Sequence, residues 1–280
     1  MKVSTKTLYI VSTPIGNLDD ITFRAVEVLK KSDIILCEDT RRSKILLDFL
    51  KLKNKLISYH KFNEKKQTKE IIKYFNQGKI LSLISDAGTP LLSDPGLILL
   101  NECIENKINV TPIPGVSSIT TAMSVSGFKD QFLFYGFLPK NEKAVDDVLS
   151  SLVSLTFTQV FFIPAIKVNF YLKKIKKYFP DRKLVIAREM TKIHETFYRN
   201  EVNNFKLFNN PIKGELTIIL SGKETKKNDP IDKGKIINRA KKYLKKYSLK
   251  DTVDLILETE KLNKKEIYQL CLKIKNEESN

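Results

Sequence analysis

The chain has 280 residues and a hydrophobic fraction of 42%, which is enough for one large or two medium domains with buried cores. No apolar segment reaches the roughly 18 residues that span a bilayer, and no secretion signal, zinc-ligand spacing or cysteine framework is visible, so we expect a soluble, cytosolic protein without disulfides or metal. The net charge of +17 suits a phosphate-rich partner such as nucleic acid, although a generally lysine-rich composition explains it equally well.

The first 117 residues predict an α/β domain. Short apolar runs of strand length, without clean alternation, are typical of strands covered on both faces; they lie at residues 7–13, 33–37, 56–60, 79–85 and 108–113. Helical patterns separate them, with Ile21, Ala25 and Val28 on one face and Ile71 and Phe75 on another. Because strand and helix alternate, the sheet is expected to be largely parallel.

The remainder of the chain predicts a second domain and a tail. Residues 118–223 contain more strand-like runs and fewer helices, which indicates a second, α+β domain. Residues 224–232 resemble a linker, and residues 233–250 contain no acidic side chain before two further helical segments. We therefore expect a linker and basic helical tail over 224–280, which either docks on an RNA backbone or forms a solvated helical cap.

Polar loops follow the strands of the first domain, at residues 12–20, 38–42, 85–96 and 114–118. Any one of them could serve only as turns and helix caps, but in open α/β sheets ligands bind beyond the carboxyl ends of the strands. A G-x-G-x-x-G fingerprint, a Walker A sequence and a complete nucleophile elbow are all absent. Carboxylates with free backbone groups suit a ligand that has a positive centre, hydroxyls and an amino-acid end, as S-adenosylmethionine does.

Six segments, in this order, resemble the tetrapyrrole methylase family in its branch acting on small-subunit ribosomal RNA. They are LYIVSTPIGNL, CEDTRRSKILL, SDAGTPLLSDPG, IPGVSS, YGFLP and AREMTKIHE. The likeness runs from residue 7 to 223, and LNKKEIYQL resembles the family's C-terminal end. It implies a class III methyltransferase in which two α/β domains form a cleft, with a small C-terminal helical appendage. It also implies a homodimer, S-adenosylmethionine as methyl donor, and 2'-O-methylation of a cytidine in the decoding region of that RNA.

The resemblance also implies site residues. The methyl donor should contact three of the polar loops, at Pro14, Gly16, Ser85, Asp86, Ala87, Gly88, Thr89, Pro114, Gly115 and Ser117. A ribose hydroxyl is a weak nucleophile that benefits from a proton acceptor; the candidates are Glu189, Lys192 and Glu195, together with His194. The alternative for these residues is a salt-bridge network between the domains that includes Arg188.

Two arginines and one loop carry further expectations. Arg41 and Arg42 could grip RNA phosphate, while Asp39 could instead cap the following helix. Ser93 or Asp94 is expected to cap a helix that begins near Pro95.

The sequence departs from the family pattern at two places. Asp19 replaces a glycine in the first loop. Residues 161–167, FFIPAIK, lack the Glu and the His-Arg pair that relatives carry. A methylase of small tetrapyrroles and a non-catalytic RNA-binding assembly factor are therefore the alternative functions.

Overall fold

The structure is a computed structural model that describes residues 3–224, 233–259 and 263–277. The chain divides into two compact units, Met1–Lys223 and Glu224–Asn280. The expected linker falls, apart from Glu224, outside the described residues. Within the described ranges, no helix is long and apolar enough to cross a membrane.

The first sheet contains five strands in the order β3-β2-β4-β1-β5, all paired in parallel. The strands are β1 Thr7–Val11, β2 Ile34–Cys37, β3 Lys55–Ser58, β4 Ile80–Leu83 and β5 Asn109–Ile113. Every residue of β1 and β2 is buried, whereas the edge strands β3 and β5 are partly exposed. The parallel pairing confirms the predicted α/β arrangement. Helices cover both faces of the sheet, as is usual for parallel sheets.

Four helices flank this sheet: α1 Phe23–Lys31, α2 Thr40–Phe49, α3 Glu64–Asn76 and α4 Leu97–Glu105. Ala25 and Val28 of α1 pack on one face, and Phe75 and Leu99 pack on the other. The Thr22 side chain accepts a hydrogen bond from the Ala25 amide and so caps α1.

The expected cap of α4 by Ser93 or Asp94 is wrong. The helix begins at Leu97, and its N-cap is Gly96, with φ of 132° and no side-chain cap. Leu91 and Ser93 also have positive φ, 73° and 74°, so the chain turns repeatedly before the helix starts. These turns leave Asp94 outside the helix terminus and direct it to a different role.

The second sheet is mixed, with order β6-β7-β10-β8-β9. Only β6 and β7 are parallel, and the other neighbours are antiparallel. In chain order, the strands of this sheet and the helices between them are α5 Ser118–Ser124, β6 Phe132–Phe137, α6 Glu142–Leu152, β7 Thr158–Pro164, α7 Val168–Tyr178, β8 Lys183–Arg188, β9 Thr196–Glu201 and β10 Glu215–Leu220. The strand-like pattern of residues 118–223 therefore forms five strands.

Two apolar clusters lie on the faces of the second sheet. One contains Phe161 and Leu216 with Leu149 of α6 and Tyr171 of α7. The other joins Val160, Val185 and Ile219 of the sheet to Ile119 of α5 and to Ile15 from the first half of the chain. This second cluster packs the loops of the first sheet against the second sheet; a domain boundary at 117/118 stays a prediction.

The C-terminal unit consists, over its described residues, of the helices α8 Lys233–Leu244, α9 Leu249–Thr259 and α10 Lys264–Glu277. Ile236, Val253, Ile256, Cys271 and Ile274 form its own small apolar core. The predicted helical tail is therefore confirmed as three packed helices.

Candidate active site

The loops after β1 and β4 are joined by backbone hydrogen bonds. The Thr13 amide donates to the Gly88 carbonyl at 2.9 Å, and the Gly88 amide donates to the Thr13 carbonyl at 3.0 Å. The Thr13 hydroxyl also donates to the Ser85 carbonyl at 3.1 Å. Gly88 has φ of 78°, a conformation that favours glycine. The SDAGTP segment is therefore held as a continuation of the sheet edge.

The loop after β5 is tied to the same wall through two hydroxyls. The Thr89 hydroxyl donates to the Val116 carbonyl at 3.1 Å, and its oxygen lies 3.0 Å from that of Ser12. A Cβ on Gly115 would come within 2.9 Å of the Ser12 Cβ. Glycine at this position allows the third loop to approach the first.

Asp86 connects the β4 loop to the start of α2. One carboxylate oxygen accepts a hydrogen bond from the Asp39 amide at 3.1 Å, and the other lies 3.4 Å from Nη1 of Arg42. Asp86 thus positions Arg42 and stabilises the N-terminal turn of the helix that carries it.

Asp39 caps α2 and also pairs with Arg41. Its carboxylate accepts three hydrogen bonds from Arg41, from the backbone amide at 2.9 Å, from Nε at 3.1 Å and from Nη2 at 2.7 Å. These hydrogen bonds lower the pKa of Asp39 to about 2. The capping interpretation of Asp39 is confirmed, and the Arg41 side chain, 89% exposed, remains accessible from solvent.

Two further carboxyl groups, Glu38 and Asp94, lie beside Asp86. Burial, followed by the charge of Glu38, raises the pKa of Asp94 to about 6. Burial and the charge of Asp86 raise the pKa of Glu38 as well. No role was predicted for Glu38, and only a helix-capping role was predicted for Asp94. Their position in loops after buried strands, at the edge of the sheet where ligands bind, was the sequence feature that could have identified both.

A cleft of about 440 Å³ opens between the two sheets. The first sheet contributes its polar side, including Glu38, Arg42, Asp86, Ala87, Gly88, Thr89, Asp94 and Ser117. The second half contributes a mainly apolar side, including Phe137, Phe162, Ile163, Pro164, Met190 and Leu216. This volume is within the range that small-molecule sites occupy, about 300 to 1,000 Å³.

A second cavity of about 380 Å³, here called the side groove, adjoins the cleft. Arg42, Asp86 and Glu215 line both cavities. The side groove also contains Lys192 and the first-loop residue Gly16. A Cβ on Gly16 would meet Thr191 Oγ1 at 2.9 Å and overlap the Lys192 side chain, so the glycine is needed for the first loop to pack here.

Lys192 joins two glutamates. Its ammonium lies 3.0 Å from Glu189 and 3.1 Å from Glu215, and Glu189 also accepts the Glu215 amide at 2.9 Å. Burial by itself would lower the pKa of Lys192, but these two carboxylates raise it. Burial would raise the pKa of Glu189, but its hydrogen bonds to the Glu215 amide and Lys192 lower it. Both groups are therefore charged near neutrality.

The remaining members of the AREMTKIHE segment have other partners. Glu195 accepts the Thr191 amide at 2.7 Å, and Nε of Arg188 donates to the Lys213 carbonyl at 3.0 Å. The ion pair between Glu189 and Lys192 agrees with the salt-bridge alternative. Its third partner, Glu215, was missed because it lies on a distant strand. The catalytic roles of Glu189, Lys192 and Glu195 stay predictions.

The structure distributes the ten expected donor contacts unevenly. Asp86, Ala87, Gly88, Thr89 and Ser117 line the cleft. Pro14, Gly16 and Ser85 line the side groove, which Asp86 and Ala87 share. Pro114 and Gly115 are exposed and lie outside both linings. All ten stay predictions as donor contacts.

The two departures from the family pattern have defined positions. Asp19 lies in the short 3-10 helix Leu18–Asp20, which the Asn17 side chain caps by accepting the Asp19 amide. The FFIPAIK segment places Phe162, Ile163 and Pro164 in the cleft lining. The second departure therefore supplies apolar surface in this part of the cleft.

Across the residues that the structure describes, no group of three His, Cys, Asp or Glu side chains is placed to hold a metal ion. Among the cleft carboxylates, Asp86 is paired with Arg42 and accepts a hydrogen bond from the Asp39 amide.

Comparison with known proteins agrees with this geometry. Residues 7–205 match the family model described as Tetrapyrrole (Corrin/Porphyrin) Methylases. A cobalt precorrin-4 methyltransferase structure superimposes with a TM-score of 0.57 at 18% identity, covering 77% of this chain and 95% of that one. A uroporphyrin-III-C-methyltransferase from Thermus thermophilus has a TM-score of 0.55 at 17% identity, covering 76% and 94%. These two similarities show the fold, and confirm the predicted fold class.

Closer relatives carry one name. A protein called ribosomal RNA small subunit methyltransferase I from Buchnera aphidicola is 40% identical, over 95% of this chain and 96% of its own length. The relative of that name from Thermotoga maritima is 43% identical, over 78% of this chain and 99% of its own length. The relative of that name in Mesomycoplasma conjunctivae is 45% identical over 79% of this chain and 94% of its own. The chain therefore belongs to the tetrapyrrole methylase family and, within it, to the group named ribosomal RNA small subunit methyltransferase I.

Proposed function

We propose that this protein transfers a methyl group from S-adenosylmethionine to the ribose 2'-hydroxyl of a cytidine in the decoding region of small-subunit ribosomal RNA. The observation that carries the proposal is the cleft between the two sheets, with carboxylates and loop residues on one side and apolar side chains on the other. The relatives' shared name supports ribosomal RNA as the substrate class. The expected nucleotide and ribose position come from the family resemblance.

The residues of the cleft fit the proposed donor. Asp86 and the loop residues Ala87 and Thr89 would contact its polar groups, and the neighbouring carboxylate of Glu38 would favour a cation. Phe162 and Met190 supply an apolar surface on the other side. When bound, S-adenosylmethionine supplies a methyl group on a positively charged sulfur; the cleft excludes water and aligns the acceptor, which is a large part of such a reaction's rate enhancement.

Asp94 is the proposed proton acceptor. Its carboxyl group lies in the cleft, and its pKa of about 6 keeps it ionised at neutral pH while it is more basic than an ordinary aspartate. As the ribose oxygen takes the methyl carbon, the carbon–sulfur bond of the donor would break and leave neutral S-adenosylhomocysteine, while the hydroxyl proton would pass to this carboxylate.

The residues named from the sequence, Glu189, Lys192 and Glu195, are the alternative group for this role. Lys192 is held as a cation by Glu189 and Glu215, so its contribution would be positive charge beside the first loop. Glu189 and Glu195 already accept hydrogen bonds from backbone amides.

RNA would be held outside the cleft by charge. Arg41 and Arg42 begin α2 at the mouth of the cleft, and the basic helical tail would add contacts to the RNA backbone. The proposed assembly is a homodimer, and the proposed place of action is the cytoplasm, where ribosomal subunits are made.

Transfer of tritiated methyl from the donor tests the proposal. We expect label in small ribosomal subunits from cells lacking this protein, and mass mapping should place it on one cytidine ribose. Label entering a corrin-type acceptor instead would indicate a small-molecule methylase. Absence of donor binding in calorimetry would indicate a non-catalytic assembly factor and would refute the enzyme proposal.

A further inference from the structure

The turn between β3 and α3 is tightly held by its own hydrogen bonds. The Asn63 side chain accepts the His60 amide at 2.8 Å and donates to the Ser58 carbonyl at 3.0 Å. The His60 carbonyl accepts the amides of Asn63 and Glu64 at 2.9 and 3.0 Å, and its ring accepts the Phe62 amide at 3.3 Å. The backbone at Phe62 is therefore held in place by the turn.

Phe62 is 94% exposed although its backbone is held so firmly. Burying a phenylalanine side chain contributes about 1.5 to 3 kcal/mol in general, and this fold makes almost no use of that contribution. Its ring contacts only that of His60 edge-on among the described aromatic contacts, with 6.1 Å between centroids. An exposed aromatic ring on a well-held turn is a surface on which a planar group can stack.

Exposed lysines lie near Phe62 in the sequence. Lys61 precedes it, and Lys65 and Lys66 lie on the first turn of α3; all three are exposed. The segment from Lys61 to Lys69 holds four lysines and a single acidic residue, Glu64. Because Glu64 turns back to accept the Gly96 amide at 3.3 Å, its charge is directed toward the protein.

This surface adjoins the cleft. The Ser58 hydroxyl donates to the carbonyl of Glu38, a cleft residue, at 3.3 Å, and the Tyr59 amide donates to the Cys37 carbonyl at 2.8 Å. Gly96, bonded to Glu64, lies two residues after Asp94. The β3–α3 turn is therefore next to the polar side of the cleft, at the same edge of the sheet as Arg42.

We propose that Phe62, with Lys61, Lys65 and Lys66, forms a docking surface on which an unpaired segment of the substrate RNA lies as it enters the cleft. Phe62 would stack on one base, and the lysines would contact the phosphates beside it. Aromatic stacking and lysine contacts of this kind are typical of proteins that hold single-stranded nucleic acid. The inference rests on the proposed function, since it assumes an RNA acceptor.

Matched substitutions test the stacking. Binding of a fluorescent single-stranded RNA to the full-length protein should weaken between about fivefold and a hundredfold in Phe62→Leu, because leucine removes the ring and keeps an apolar side chain. Phe62→Tyr should retain wild-type affinity. The control is Phe49→Leu, a half-exposed phenylalanine at the last residue of α2 and the opposite edge of the sheet, which should bind as the wild type does.

The salt dependence of binding tests the lysines. Removing two phosphate contacts on a single strand lowers the slope of log affinity against log salt by about 1.4, so we expect that change in Lys65→Gln/Lys66→Gln. The control, Lys51→Gln/Lys53→Gln, carries the same charge change on exposed residues of the opposite edge and should leave the slope unaltered.

Three outcomes would overturn the inference. Unchanged RNA affinity in Phe62→Leu would remove the stacking role, and equal slopes in the two lysine pairs would remove the phosphate contacts. A shift from dimer to monomer by Phe62→Leu in sedimentation would assign the ring to an interface between copies of the chain. Methyl transfer by the wild type into small ribosomal subunits, measured separately, tells a failure of the proposed function apart from all three.

Discussion

The two halves of the cleft differ in chemistry because the two sheets differ in topology. The first sheet is entirely parallel, so the loops after β1, β2, β4 and β5 converge at one edge and bring Asp86, Asp94 and Arg42 together. The second sheet is mixed, and its contribution is mainly apolar side chains such as Phe137 and Phe162. We therefore expect the first half to orient charge and the second half to exclude water.

The largest expected effect is on the polar side. Asp94→Asn should lower kcat by about 100-fold, the usual scale for a lost proton acceptor, and change the donor KM by little. In the wild type, kcat should fall as pH drops below about 6, where Asp94 becomes protonated. Steady-state methyl transfer measured across pH checks both.

An exposed aspartate on α6, Asp147, provides the matched control, because Asp147→Asn should retain wild-type kcat and pH dependence. If Glu189→Gln abolished transfer while Asp94→Asn preserved it, the proton acceptor would lie on the side of the second sheet and the comparison would fail.

Asp86→Ala should weaken donor binding by about tenfold, since one charge-assisted contact contributes roughly 1.5 kcal/mol. The protein should remain folded, with a loss of about 1 kcal/mol in the free energy of unfolding from the hydrogen bond to the Asp39 amide. Calorimetry and urea denaturation measure the two quantities.

Asp33→Ala is the control for Asp86, because Asp33 accepts the Ile80 amide at 2.8 Å at the other edge of the same sheet. Asp33→Ala should lower the free energy of unfolding by about as much as Asp86→Ala does, and it should bind the donor as tightly as the wild type. Equal donor affinity in Asp86→Ala and the wild type would make the SDAGTP loop a structural turn.

The apolar side should respond less. Phe137→Ala should weaken donor binding by about fivefold, equivalent to about 1 kcal/mol, because its ring lines the cleft. Since the side chain is already more than half exposed, stability should hardly change. Phe157→Ala, another half-exposed phenylalanine of this half, should bind the donor normally; a larger loss at Phe137 than at Asp86 would reverse the assignment of the two sides.

The smallest effect concerns stability against pH. The pKa of Asp94 is raised above its unfolded value to about 6, so the folded state binds this proton more tightly and wild-type stability falls as pH rises from about 4 to 6. Asp94→Asn removes that loss and should be more stable than the wild type at pH 7.5 by up to about 1 kcal/mol, after allowance for solvent access. At pH 4 the two should be nearly equal; a less stable variant at pH 7.5 in urea denaturation would contradict the shift.

Much of the fold could be predicted because it depends on local pattern. Buried strands of the first sheet appear as apolar runs, and the Thr22 and Asp39 caps follow from residue type and position. The start of α4 could not be predicted, since Leu91, Ser93 and Gly96 all adopt positive φ and Gly96 packs closely against Leu83 and bonds to Glu64, both distant in the sequence.

The sequence by itself determined the alternation of strands and helices, the sheet edge where polar loops gather, and the family likeness, because these depend on residue order and periodicity. Only the tertiary structure decided that Asp94 lines the cleft, that Glu215 pairs with Lys192, and that Phe62 stands exposed on the β3–α3 turn. Those relations join residues far apart in the chain, and their burial and charge exist only after the two sheets have packed around Ile15 and Ile119.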